Sequence, residues 1–93
     1  MEEQDRSRIL AAELNREIPK FDTHGLFPDE VETRIDQFLF EYFRDPLADS
    51  VRIVYGIGEG KMKKKVIEFL EKHPLVGEVK DEGASCIVVF DRD

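Results

Sequence analysis

The sequence has a single cysteine, Cys86, no apolar run long enough to cross a bilayer, and no internal repeat or low-complexity segment. Each absence removes a class of protein. One cysteine rules out an intrachain disulfide and points to a reducing compartment, the cytoplasm. It also rules out metal sites of the repeated Cys-x-x-Cys or Cys/His type. A bilayer span needs about 18 consecutive apolar residues, and the start, Met1-Glu2-Glu3-Gln4-Asp5, is acidic where a secretory leader would be basic and then apolar. No membrane partner is expected. Surplus positive charge is missing too. The net charge is −7, whereas indiscriminate nucleic-acid binders carry an excess of Lys and Arg.

What is present suffices for one modest core. The chain has 93 residues, 41% of them hydrophobic, with seven phenylalanines, which is one domain's worth of material. Its charge is unevenly placed. Residues 1–50 hold six Lys/Arg against thirteen Asp/Glu, while residues 51–93 hold eight against eight. Because salt screens fields beyond about 8 Å, the local cluster Lys61, Lys63, Lys64 and Lys65 can matter more than the total.

Hydrophobic spacing sets out the elements. Residues 3–17 form a polar helical pattern with a thin stripe of Leu10, Ala11, Leu14 and Ile18, closed by Pro19. Residues 1–18 are therefore expected to be an N-terminal helix or linker, and residues 19–93 the domain. Lys20 to His24 reads as a short strand. Val31, Ile35, Phe38, Leu39, Tyr42 and Phe43 share one helical face after Pro28, Asp29 and Glu30, which suit a helix start. Ser50 to Tyr55 is a strand, residues 61–72 a second helix with Met62, Val66, Phe69 and Leu70 inward, and residues 76–80 and 84–90 two further strands around Asp81-Glu82-Gly83. The spacing predicts a β-α-β-α-β-β order. Strand–helix–strand units with helices this long imply right-handed crossovers and parallel pairing of the connected strands, and the final hairpin is antiparallel if its strands are neighbours, so the fold class is an α/β two-layer sandwich with a mixed four-stranded sheet.

Two segments carry chemistry. In Phe21-Asp22-Thr23-His24-Gly25, strand alternation puts Asp22 and His24 on one face, and a carboxylate beside an imidazole suits proton transfer near neutral pH. The same pair also reads as a polar strand cap without chemistry. In Tyr55-Gly56-Ile57-Gly58-Glu59-Gly60-Lys61, three glycines alternate between a strand and a helix, so backbone N–H groups and the helix start can close around a phosphate. No Gly-Lys-Ser/Thr ending follows, and the third glycine comes too early for a dinucleotide fingerprint. A flexible turn is the plainer alternative. Lysines are unfavourable at a helix N-terminus, so the cluster at residues 61–65 calls for a compensating anion, either a bound phosphate or Glu59. Parallel first strands would bring His24-Gly25 and the glycine loop to one edge.

Other residues read plainly. Cys86 lies in an almost unbroken apolar strand and is expected in the core. His73, before Pro74, is expected at a helix end, bound to terminal carbonyls. Phe40 falls off its helical stripe and is expected exposed. Phe27 is either a base-stacking aromatic near His24 or a staple for the helix it precedes.

Together these segments resemble the Smr (small MutS-related) domain. The opening apolar-Asp-x-His-Gly is met by Phe21-Asp22-Thr23-His24-Gly25, the His-Gly-x-Gly-x-Gly block by Tyr55-Gly56-Ile57-Gly58-Glu59-Gly60, and the ending by His73-Pro74-Leu75-Val76 and Glu82-Gly83-Ala84. The resemblance implies a fold similar to the C-terminal domain of translation initiation factor three, nucleic-acid partners (DNA or RNA, with the ribosome among them), and endonuclease activity. By position it makes Asp22 and His24 the catalytic pair, and Gly56, Gly58 and Gly60 the phosphate contacts. The residues beside them, Gly25, Tyr55, Lys61, Lys63 and Lys64, complete the expected binding set. Tyr55 departs from the family's His, Glu59 from a small residue, and Ile57 from a basic one. Mg2+ is the candidate cofactor; with no acidic triad nearby, no dedicated metal site is expected. A non-catalytic nucleic-acid or ribosome-binding module is the alternative, and a protein-interaction domain that docks through its N-terminal helix a third. Monomer and oligomer fit the pattern equally.

Overall fold

The structure, a computed structural model, describes residues 18–58 and 60–92; the helix expected over residues 3–17 lies outside that range. Six elements follow in chain order: β1 (Lys20–Asp22), α1 (Pro28–Phe43), β2 (Ser50–Val54), α2 (Lys61–Glu71), β3 (Val76–Asp81) and β4 (Ser85–Phe90). The sheet order is β1-β2-β4-β3, with β1 parallel to β2 and β4 antiparallel to both of its neighbours. The sheet is mixed, as expected, but β2 and β3, expected to pair, run parallel without pairing because β4 lies between them. The last strand enters between β2 and β3, so it is flanked on both sides. That position suits Cys86-Ile87-Val88-Val89-Phe90, all buried, because an interior strand covered on both faces is apolar throughout. Strand β3 takes the edge, where Glu78, Lys80 and Asp81 and a register shift between Val76 and Glu78 discourage pairing with another chain.

Both helices pack on one face. Val31, Ile35 and Leu39 of α1 follow a spacing of four and have no exposed surface, as do Val66 and Leu70 of α2. They meet Val51, Ile53, Cys86, Val88 and Phe90 of the sheet. Aromatic rings link the layers: Phe21 lies 5.3 Å from Phe38, which is 5.0 Å from Tyr42 on the same helix, and Phe43 lies 5.5 Å from Phe90. Alternation turns Ile87 and Val89 to the opposite face, where Ile18 packs against them. Asp29 and Glu30 sit in the first turn of α1, and the Glu30 carboxylate accepts the Phe27 N–H at 3.2 Å.

One core residue departs from expectation. The His73 ring does not reach back to helix-end carbonyls, although its backbone N–H does bond Leu70 O. The side chain is buried, with Nε2 2.7 Å from Asp36 Oδ1 on α1 and Nδ1 accepting the Leu75 N–H at 3.1 Å. An accepting Nδ1 leaves the proton on Nε2, which donates to Asp36. The ring also stands edge-on to Phe69 and Phe40 at 5.4 and 6.3 Å, and Phe40 is exposed. His73 therefore joins α1 to the turn after α2, a contact that no local pattern announces.

Candidate nucleic-acid interface

The register Asp22↔Val54 aligns the carboxyl ends of β1 and β2. Thr23 fastens them, since its N–H and its hydroxyl both donate to the Val54 carbonyl, at 2.9 and 3.0 Å. Thr23 is buried, and its role was not visible in the sequence because it faces away from the motif residues on either side. Beyond this clamp the two chemistry-bearing segments leave from the same sheet edge.

On the first segment, β1 stops at Asp22 instead of continuing to His24. His24 and Gly25 form a turn closed by the Leu26 N–H to Thr23 O bond at 3.0 Å. The Asp22 carboxylate accepts the backbone N–H of His24 at 2.9 Å, a local turn bond that Asp side chains favour. Strand alternation therefore does not govern this pair, and the carboxylate holds the His24 backbone, not its ring. The imidazole is exposed and, among the described residues, has no side-chain partner. Phe27, three residues on, is 72% exposed at the start of α1, so it is not a buried staple.

On the second segment, an open cavity of about 220 Å³ is lined by Tyr55, Gly56, Ile57, Gly58, Gly60, Lys61, Met62 and Lys63. Gly56 and Gly60 have φ of 80° and 85°, values that side-chain-bearing residues rarely adopt. Gly60 caps α2 in the left-handed conformation, with no side-chain cap and no acidic residue in the first turn. A Cβ added at Gly60 meets nothing within 4 Å. Gly60→Ala should therefore cost about 1–2 kcal/mol from backbone conformation alone, measurable as a lower urea midpoint with an unchanged slope.

The amides divide into two groups. Those of Tyr55 and Gly56 both donate to the Ala84 carbonyl, at 3.0 and 2.9 Å, so Gly56 shapes the loop without offering its N–H. The Lys64 N–H to Gly60 O bond at 2.9 Å is the first rung of α2. The Met62 and Lys63 amides precede it with no acceptor inside the helix, as the first amides of a helix do. Lys61 and Lys64 are exposed at this end, while Lys65 pairs with Glu32 of α1 at 3.8 Å. Glu59 lies outside the described residues.

Tyr55 and Lys63, both expected to face phosphate, instead meet at Asp81. The buried Tyr55 hydroxyl lies 2.7 Å from Asp81 Oδ1 and 2.9 Å from the Ser85 carbonyl, two acceptors for its one proton. The Lys63 ammonium is 2.7 Å from Asp81 Oδ2. Burial first, and the Asp81 contact second, push the Tyr55 phenol far above its ordinary range, so it serves as a hydroxyl donor only. Lys63, then Tyr55 and the Gly83 N–H, draw the Asp81 carboxyl down to about 2. Asp81 reads from sequence as a turn residue, and 26 positions separate it from Tyr55, so only the hairpin of β3 and β4 unites them.

The lowered Asp81 value has a measurable consequence. Its stabilising contribution is complete above the ordinary 3.8 and is lost as pH falls from there toward 2. Asp81→Asn should therefore flatten the fall in melting temperature between pH 4 and pH 2 relative to the unaltered chain. Cys86, whose thiol burial pushes up to about 12, belongs to the core as expected. Among the described residues no three His, Cys, Asp or Glu side chains converge as metal ligands. No helix among the described residues is long and apolar enough to cross a membrane.

Comparison with known proteins agrees with the fold. A family model described as the Smr domain matches residues 21–89. The fold is similar to the crystal structure of the Smr domain of Thermus thermophilus MutS2, with a TM-score of 0.72 and 25% identity over 81% of this chain and 100% of that one. Comparison with curated proteins gives no match.

Proposed function

The chain belongs to the Smr domain family, and from that premise we propose that it binds nucleic acid at the shared edge of β1 and β2 and cleaves a phosphodiester bond there. The observation that carries this reading is the Asp22↔Val54 register, which sends His24 and the glycine loop out from adjacent strand ends. His24, exposed and without a side-chain partner among the described residues, is the general acid or base, and Asp22 positions it through its backbone amide. The amides of Met62 and Lys63 and the ammonium groups of Lys61 and Lys64 stabilise charge on the phosphate oxygens. Gly25, Gly58 and Gly60 let the phosphate approach the backbone, and Phe27 offers a face on which an unpaired base stacks. The test is incubation with labelled single-stranded RNA, duplex DNA and branched DNA, with and without magnesium. Shortened products from at least one substrate are expected, and intact substrates throughout would refute cleavage.

A second reading has an observation of its own. Tyr55 stands where the family pattern has His, and its hydroxyl is turned to Asp81 and Ser85, so Tyr55 brings no second titrating group to the phosphate. A non-catalytic module that binds nucleic acid, with the ribosome as one setting, requires only the loop and lysines. It predicts salt-sensitive retention of RNA or DNA, lost on neutralising Lys61 and Lys64, with no product formed.

A further inference from the structure

Lys63 has two uses available to it. Its side chain lines the cavity beside the glycine loop, and its ammonium lies 2.7 Å from Asp81 Oδ2. Asp81 is held in place independently of that lysine. Its other oxygen, Oδ1, accepts the Tyr55 hydroxyl at 2.7 Å and the Gly83 N–H at 2.9 Å, and Tyr55 is itself buried against the Ser85 carbonyl. A carboxylate is thus anchored at the loop with one oxygen left for a cation, and that cation belongs to the cavity wall. The side chains of Lys63 and Asp81 are 37% and 42% exposed, so the pair sits in water, where such pairs are weak and exchange readily.

Resting on the nucleic-acid reading above, we infer that Asp81 sets the affinity of this site: it keeps Lys63 in an internal ion pair that a bound phosphate must displace before it can use the lysine. Three consequences follow from the charges. The resting site presents fewer available cations than its lysine count suggests. Any polyanion that draws on Lys63 meets a competing carboxylate. A strand that also engages Lys61, Lys64 and the helix-start amides binds in spite of that competition.

Asn at position 81 keeps an oxygen for Tyr55 and Gly83 and replaces the charged oxygen that faces Lys63 by a neutral NH2, and the Lys63→Gln background separates the lost ion pair from the lost charge. Binding of fluorescein-labelled single-stranded RNA and duplex DNA is measured by anisotropy over a salt series for the unaltered chain, Asp81→Asn, Lys63→Gln, their combination, and Lys64→Gln. Asp81→Asn should tighten binding about two- to fivefold and leave the slope of log affinity against log salt unchanged, because the seated phosphate engages Lys63 in both chains. In the Lys63→Gln background Asp81→Asn should not tighten binding. Unchanged affinity in Asp81→Asn, or equal tightening without Lys63, would overturn the inference while salt-sensitive binding weakened by Lys64→Gln left the nucleic-acid reading standing. No salt-sensitive binding by any of these chains would overturn both. A second measurement needs no substitution: the Lys63 side-chain NMR signal of the unaltered chain should move on RNA saturation, and a signal that stays in place overturns the inference.

Discussion

Replacing His24 by alanine should lower phosphodiester cleavage by about 10²–10⁴-fold, the usual contribution of one positioned proton-transfer group, and leave the melting temperature unchanged. Both halves of this expectation come from position. The ring stands at the exposed edge with no side-chain hydrogen bond, ion pair or ring contact among the described residues, so its removal strands no buried partner. The local turn survives as well, because the Asp22 carboxylate bonds the backbone N–H that alanine retains. Single-turnover cleavage of a labelled strand checks the first half, and a thermal melt the second. If proton transfer is the role, the variant loses one limb of the pH–rate profile and added imidazole restores part of the rate. Cleavage at the unaltered rate would remove His24 from the mechanism and leave the binding-module reading in place.

The largest effect on stability is expected at the other histidine. His73→Ala should cost about 2–4 kcal/mol, since it deletes a buried ring with two hydrogen bonds, one of them to a carboxylate. It leaves the Leu75 N–H without its acceptor and Asp36 without its donor, and it opens a gap beside Phe69. For a domain of this size each kcal/mol lowers the melting temperature by roughly 4–8 °C, so the shift is easily measured. His73→Asn separates the parts. Its shorter side chain can still accept the Leu75 N–H two residues on but cannot reach Asp36, so an intermediate loss is expected. A melting temperature within a degree of the unaltered chain in His73→Ala would show that the Asp36 link contributes nothing.

The two histidines show which parts of the molecule were legible without coordinates. Hydrophobic period alone located α1 and α2 and their buried faces, because Val31, Ile35, Leu39, Val66 and Leu70 repeat at the helical interval and such stripes have one way to be covered. Chirality of the crossover then made β1 and β2 parallel, which is why His24 and the glycine loop share an edge. The joint spacing of Asp-x-His-Gly and Gly-x-Gly-x-Gly carried the resemblance to the Smr domain, and the comparisons agree with it over residues 21–89. Everything in that group depends on local periodicity, on motif residues at fixed spacing, or on the connection between consecutive strands.

What the tertiary structure alone decided lies between residues far apart in the chain. Strand β4 could have paired at either edge. Its insertion between β2 and β3 brought the Ala84 carbonyl to Tyr55 and Gly56, and Asp81 to Tyr55 and Lys63. Tyr55, read from its neighbours, belonged to a phosphate cradle; the hairpin gave its hydroxyl other partners. Asp22, read from strand alternation, belonged to His24's ring; the early end of β1 gave it a backbone amide. A polar side chain takes whichever acceptor or donor folding delivers within about 3 Å, and that delivery follows from sheet order and strand ends, quantities set by the packing of the whole chain and not by any segment of it.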